Sequence, residues 1–222
     1  MLRKEAVSTD LLEVLNQLMK IPLLSNHRLV GGTALALQIG HRISIDIDLF
    51  SNSISDYQQI EKALLTAFSE EIKISHRIHS PLGKGLCLFI RGIKTDILDW
   101  NIPFGYTAVE LNNIRLASQE EIVRMKLDIL TSPPEIARYE KKDFIDLAFL
   151  MSRFNISEMI TIYKTFHPEI EFIERHVLEA LQYSELADKK PNPQMLLPLS
   201  WDEVKAKINQ EVSYYISTRL NS

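Results

Sequence analysis

Residues 29–50 read LVGGTALALQIGHRISIDIDLF, and this stretch decides the fold. Two apolar residues lead into Gly31-Gly32, a helix-like run follows over 33–39, and after Gly40-His41-Arg42 polar and apolar residues alternate strictly. A strand sends successive side chains to opposite faces. Ser44, Asp46 and Asp48 are therefore expected on one face, with Ile45, Ile47 and Leu49 on the other, against a core. Asp46 and Asp48 would stand roughly 7 Å apart along such a strand.

Two carboxylates so placed repel each other. A solvated edge strand could carry them, but Asp is a poor strand former. A hard divalent cation is the better explanation, because Mg²⁺ takes oxygen ligands and is usually held by one or two carboxylates together with phosphate oxygens. The glycine pair suits the same chemistry. Without Cβ atoms the backbone can approach a phosphate, and the helix behind it aims free N–H groups and a positive dipole end at the anion. Thirteen residues separate Gly32 from Asp46, which places both features in one strand–turn–helix–strand unit.

Gly31-Gly32 followed by Asp46-x-Asp48 resembles the signature of the polymerase-beta-type nucleotidyltransferase superfamily. The fuller strings GGTALAL and HRISIDIDLF resemble its AbiEii/AbiGii branch, toxins of bacterial abortive-infection and type IV toxin–antitoxin systems. The likeness extends to about residue 150. It departs where many members have Gly-Ser and this chain has Gly31-Gly32, which removes a hydroxyl that Thr33 could supply instead.

The 222 residues suffice for one large or two small domains. No apolar run nears the roughly 18 residues of a membrane span, and MLRKEAVSTD lacks the apolar core of a signal peptide. Cys87 is the single cysteine, which excludes an internal disulfide and zinc-cluster spacing; it reads as a small core residue. The expected compartment is the cytoplasm. A net charge of −4 gives no general affinity for nucleic acid, so an RNA contact needs a local basic patch. Arg124, Arg138, Lys141 and Lys142 form the one modest candidate.

Helices are expected over 10–20, with Asp10 and Glu13 as a capping box, and over 56–68. Strands are expected over 27–30, 71–79, 86–91, 93–100 and 114–117, with Gly92 alone too short for a standard hairpin turn. Beyond Ser118, which with Glu121 opens a helix, the pattern is helical: 120–130, 135–154, 157–166, 168–186 and 201–220, the last capped by Ser200 and Glu203. Residues 189–198 read as a proline-rich connector. The fold class is thus an α/β (α+β) domain with a mixed sheet over 1–117, followed by an all-helical C-terminal domain over 118–222.

In two-metal nucleotidyl transfer a third acid joins the first two. Asp96 and Asp99 both lie in IKTDILDW, three apart, so only one can face the metals. Asp99, near the strand end, can be explained as a turn cap. Asp96 is favoured, since its position resembles the family's third acid. Lys126 sits beside the apolar stripe of its helix; it reads either as a solvated lysine covering apolar surface or, as the resemblance implies, as a phosphate contact. Asp143 and Asp146, at i,i+3, share a helix face, and Lys142 could pair with Asp146. By resemblance Lys142, Asp143 and Asp146 form a KD-x-x-D block lining the cleft, where an acid could hold a sugar hydroxyl or act as a general base. Ser44 could touch phosphate or be a small polar strand residue, and Arg42 could hold the strand end or meet a phosphate. His41, His76, His79 and His176 lack metal-ligand spacing and read as surface or loop residues, while Trp100 and Trp201 read as packing residues.

The expectation is a Mg²⁺-dependent nucleotidyltransferase, with two ions engaged during turnover. Asp46, Asp48 and Asp96 would be the metal ligands and catalytic acids, joined by Lys126, Asp143 and Asp146. Gly31, Gly32, Thr33, Ser44 and Lys142 would bind the NTP. The resemblance implies a toxin in phage defence, a separate antitoxin partner, and a tRNA end or a protein as acceptor. A small-molecule nucleotidyltransferase of the aminoglycoside-modifying kind and a non-catalytic nucleotide-binding module are the alternatives.

Overall fold

Seven strands build one sheet around the acidic stretch, in the order β3-β4-β5-β2-β1-β7-β6. The computed structural model describes residues 1–80, 83–133 and 139–220. Two compact units divide the chain, Met1–Ser118 and Gln119–Ser222.

In the first unit, β1 (Arg28–Leu29) is antiparallel to β2 (Ile47–Ser51), and β2 is parallel to β5 (Ile93–Trp100). β3 (Ile72–Ser80), β4 (Gly83–Ile90) and β5 form an antiparallel meander. β7 (Ile114–Leu116) runs parallel to β1 and carries β6 (Val109–Leu111) at its outer edge. The sheet is therefore mixed, as its alternating patterns require.

Two short hairpins turn on described residues with positive φ. Ile90 pairs with Ile93, so Arg91 and Gly92 (φ 50° and 76°) make a two-residue turn, one residue earlier than the sequence suggests. Asn112 and Asn113 (φ 53° and 63°) do the same between β6 and β7. β6 was not expected. Its Asn-Asn dipeptide is a turn signal, but three-residue strands are too short for alternation to reveal.

α1 (Thr9–Leu18) buries Leu11, Val14, Leu15 and Leu18, and its cap is Ser8, whose hydroxyl accepts the Leu11 amide at 3.1 Å. This corrects the Asp10–Glu13 capping box: Asp10 lies inside the first turn. α2 (Gly31–Ile39) takes the glycine pair into its own first turn. α3 (Tyr57–Phe68), capped by Asp56, packs its buried Ile60, Leu64 and Phe68 toward β3 and β4.

The elements of the second unit are helices. α4 (Gln119–Thr131) packs on α5 (Lys141–Leu150), α6 (Ile156–Phe166) and α7 (Ile173–Gln182). α8 (Glu185–Asp188) is a single turn, and α9 (Trp201–Leu220) lies against α5, α6 and α7. The helix expected over 135–154 is shorter. Tyr139 has φ 42° and Glu140 is an extended N-cap, so helix begins at Lys141; residues 134–138 lie outside the described ones. The run 168–186 splits because Phe172 sits in the left-handed region. Ser200 and Glu203 do form the expected reciprocal cap, with Ser200 N donating to Glu203 Oε2 at 2.7 Å and Glu203 N to Ser200 Oγ at 3.3 Å. No helix among the described residues is long and apolar enough to cross a membrane.

Candidate active site

Register brings the acids together. Asp48 on β2 and Asp96 on β5 are direct partners on parallel strands. Partners in a ladder share a face and lie about 5 Å apart between strand axes. Burial along β5 alternates: Thr95, Ile97 and Asp99 are covered, while Lys94, Asp96, Leu98 and Trp100 are more open. Asp99 therefore belongs to the opposite, helix-covered face. There it accepts the Ser55 amide at 2.6 Å and the Ser55 hydroxyl at 2.8 Å, and fixes the entry to α3.

Asp46 precedes β2 by one residue, so the expected alternation fails at its start. The Ser44 amide donates to Ala6 O at 2.8 Å, and the Asp46 carbonyl accepts the Thr33 hydroxyl at 2.6 Å. With these backbone groups engaged outside the sheet, no ladder forms before Ile47. Ile45 consequently points outward, 71 % exposed, where a core position was expected. Ile47 and Leu49 are buried as expected.

The glycine corner closes on the second acid. Gly31 has φ +64°, which a residue with a Cβ adopts at a cost. A Cβ added there would sit 3.5 Å from Asp48 Oδ2. The Val30 amide donates to the Asp48 carbonyl at 2.9 Å, which locks corner and strand together. Val30, as N-cap of α2, offers no side-chain acceptor to the first-turn amides of Gly31, Gly32 and Thr33. Those amides and the dipole suit an anion.

Thr33 and Ser44 lie elsewhere than expected. Both are buried, and their hydroxyls face each other at 2.7 Å. They pin the loop before Asp46 to α2 and offer no free hydroxyl toward solvent. Arg42 is also buried, and its guanidinium donates to Ile43 O at 3.1 Å, holding the strand entry. His41 lies in the loop after α2, as one of its two readings had it, but is fully buried; His76, His79 and His176 are exposed.

Two residues that sequence reasoning did not assign to the site stand beside Asp96. Cys87 on β4 is its register partner on the other side. Burial first, then the hydrogen bond and charge of Asp96, push the Cys87 thiol up to about 12, so it is inert as a nucleophile. Lys94 pairs with Asp96 through its ammonium. Burial works against the Lys94 charge, but the hydrogen bond and charge of Asp96, with the charges of Asp48 and Asp46, hold it above the usual lysine range. The signal was present in IKTDILDW: Lys94 and Asp96 are two apart on one strand.

A divalent ion suits these donors. Asp96 Oδ1 is buried without a hydrogen-bond partner among the described residues, beside a carboxylate in register and a glycine corner that leaves it room. Among the described residues no three His, Cys, Asp or Glu groups already stand at metal-holding spacing.

In the second unit, Lys126 donates to Asp143 Oδ1 at 2.6 Å and pairs with Asp146 Oδ2 at 2.6 Å. All three are buried, so Lys126 is neither a solvated lysine nor open to a phosphate. The i,i+3 acids share a face as expected, and their common partner comes from α4. Asp143 Oδ2 is buried without a hydrogen-bond partner among the described residues. Lys142 is half-exposed.

Two members of the candidate basic cluster are buried. Arg124 is fully buried, its Nε on Glu121 Oε1 at 2.8 Å, its Nη1 on Asp128 Oδ2 at 2.7 Å and its plane 4.9 Å from the Phe166 ring centre. Lys141 is buried against Asn192 and the Trp201 ring. Arg138 lies outside the described residues. Trp201 meets the Phe144 ring edge-on and Trp100 stacks on Phe50 at 4.8 Å, both packing roles.

Residues 13–214 match the family model described as nucleotidyl transferase AbiEii toxin, type IV TA system. An uncharacterized protein of Aquifex aeolicus (strain VF5) is 26 % identical over 214 residues, covering 92 % of this chain and 95 % of that one. Two crystal structures from Helicobacter pylori share the fold at 19 % identity and a TM-score of 0.57. One, of a candidate nucleotidyltransferase, covers 93 % of this chain and 95 % of its own; the other, of JHP933, covers 97 % and 98 %.

Proposed function

Because the chain belongs to the AbiEii family of nucleotidyl transferase toxins of type IV toxin–antitoxin systems, we propose that it moves NMP from an NTP to an acceptor hydroxyl at the Asp46–Asp48–Asp96 face of the sheet, with release of pyrophosphate. The observation that carries this is the register of Asp48 with Asp96 on parallel strands, beside a Gly31 corner 3.5 Å from Asp48 Oδ2.

Asp46, Asp48 and Asp96 would hold Mg²⁺, which when bound would neutralise triphosphate charge and make the acceptor hydroxyl more acidic. The first-turn amides of α2, at Gly31 and Gly32, would cradle phosphate oxygens. Thr33 and Ser44, engaged with each other, would position this corner rather than touch the nucleotide. Cys87, as an inert thiol next to Asp96, would shield that carboxylate from water. Catalysis on such a face is mostly alignment and charge neutralisation.

Lys126, Asp143 and Asp146, buried together, would support the second unit. The role that the family resemblance gives Lys142 is a contact to the NTP. The helical second unit and the α/β first unit would then act as a substrate-shaping domain and a nucleotidyltransferase domain. An antitoxin encoded separately would restrain the enzyme, in a phage-defence role, and the acceptor would be a tRNA end or a protein.

The test is incubation with each labelled NTP, Mg²⁺, total RNA and cell protein. Label is expected in one macromolecule, and Asp48→Asn or Asp96→Asn should abolish it while circular dichroism stays unchanged. Full activity in both variants would refute the assignment. Label only in small molecules would point to the aminoglycoside-type reaction.

A further inference from the structure

We infer that Lys94 is the resident counter-ion of the acidic face, and that a divalent cation binds there by displacing the Lys94 ammonium from Asp96. This rests on the reading of Asp46, Asp48 and Asp96 as metal-holding groups.

The placement follows from β5 itself. Lys94 and Asp96, two residues apart on one strand, project from the same face. The ammonium is paired with Asp96 Oδ2, whose strand neighbour in register is Asp48. The two ends of the pair differ in exposure. The Lys94 side chain is 46 % exposed and the Asp96 side chain 16 %. The lysine can therefore swing into water at little cost, as half-exposed ion pairs contribute little. The carboxylate, less exposed than the lysine, cannot follow it, and would keep only the weak Cys87 thiol as a neighbour, its Oδ1 already lacking a hydrogen bond among the described residues.

Asp96 and its register neighbour Asp48 share one cation here, and a lysine supplies a single positive charge. A divalent ion doubles the attraction at each oxygen. It also accepts several carboxylates at once, in a geometry that the ammonium does not impose. Lys94 thus relieves repulsion in the metal-free protein and competes with metal for Asp96, so that affinity is set by the difference between the two cations. Metal delivered together with a triphosphate gains on both counts. The phosphates add oxygen ligands and give the displaced ammonium an anion to meet.

The experiment uses the full chain and Mn²⁺ as a spectroscopic probe, with free ion counted by electron paramagnetic resonance. Lys94→Met is expected to bind Mn²⁺ about ten-fold more tightly than the natural protein, the scale on which one neighbouring charge moves an ionic equilibrium. Lys94→Arg, which keeps a cation, is expected near the natural value. In EDTA, Lys94→Met should melt below the natural protein, and saturating Mn²⁺ should close that gap. Equal Mn²⁺ affinity in Lys94→Met, Lys94→Gln and the natural protein would overturn the inference while leaving the metal reading intact. Absence of Mn²⁺ binding in the natural protein and in Lys94→Met alike would overturn both.

Discussion

His27 shows how much a single side chain can carry on the far side of the sheet from the acids. It is buried, its ring nitrogens lack hydrogen bonds among the described residues, and its Nε2 lies 3.6 Å from Asp99 Oδ1. Burial lowers its pKa from 6.5 to about 4, with Asp99 acting in the opposite sense and Arg115 adding to the depression. Between those values the unfolded chain binds a proton that the folded protein refuses. Stability is therefore complete above pH 6.5 and falls as pH drops toward 4. The loss is expected to reach up to about 3 kcal/mol, and His27→Gln should flatten that part of the curve. Urea titrations of both proteins from pH 7 to 4 measure it; parallel curves would remove His27 as the cause. At this scale the sequence discloses residue types better than partners. Asp46 and Asp48 announce themselves by spacing alone. That Asp96 and not Asp99 stands beside Asp48 follows only from strand register, which two acids three residues apart in one strand cannot reveal. Thr33 and Ser44 read as phosphate-directed hydroxyls because the loop that folds one onto the other leaves no local pattern.

Elements were legible where a long period or a cap marks them. α3 begins at Asp56, whose carboxylate accepts the Gln58 and Gln59 amides, and α9 begins at the Ser200–Glu203 pair. They were illegible where tertiary contacts override the pattern. The strand expected from Ser44 starts at Ile47 because Ala6 and Thr33 take the backbone groups that a ladder would need. The helix expected from residue 135 starts at Lys141, after a Tyr139 held at positive φ. Between α4 and α5 the decisive link is Lys126, one cation shared by two buried acids. Lys126→Met removes the charge but not the bulk and strands Asp143 and Asp146 together. Breaking such a pair by losing one partner costs about 3–5 kcal/mol. Chemical denaturation should show that loss, and Asp143→Asn combined with Lys126→Met should recover part of it. An unchanged midpoint for Lys126→Met would mean that the cluster does not hold the helices.

Across the whole molecule, net charge and burial agree. The chain carries −4, and Arg124, one of the four residues of the expected basic cluster, is instead locked between Glu121 and Asp128. Non-specific RNA binding should accordingly release few counterions. The slope of log affinity against log salt is expected at about −2 or shallower, against values several times steeper for proteins with many phosphate contacts. Fluorescence anisotropy between 50 and 200 mM salt, as a rough range, would decide it. A steep slope would show that basic residues outside the described cluster make the contact. If RNA is the acceptor, recognition must then come from shape and local pockets more than from bulk charge.

Strand order has a consequence for how the protein is made. β1, at Arg28–Leu29, lies between β2 and β7, and β7 ends at Leu116. Asp48 meets Asp96 only after β5 has left the ribosome, and the sheet gains its last partners some twenty residues later. A nascent chain broken off before residue 93 would hold the glycine corner and the first two acids with β2 lacking its parallel neighbour. Premature termination therefore yields a fragment with an open ladder, suited to clearance by proteases.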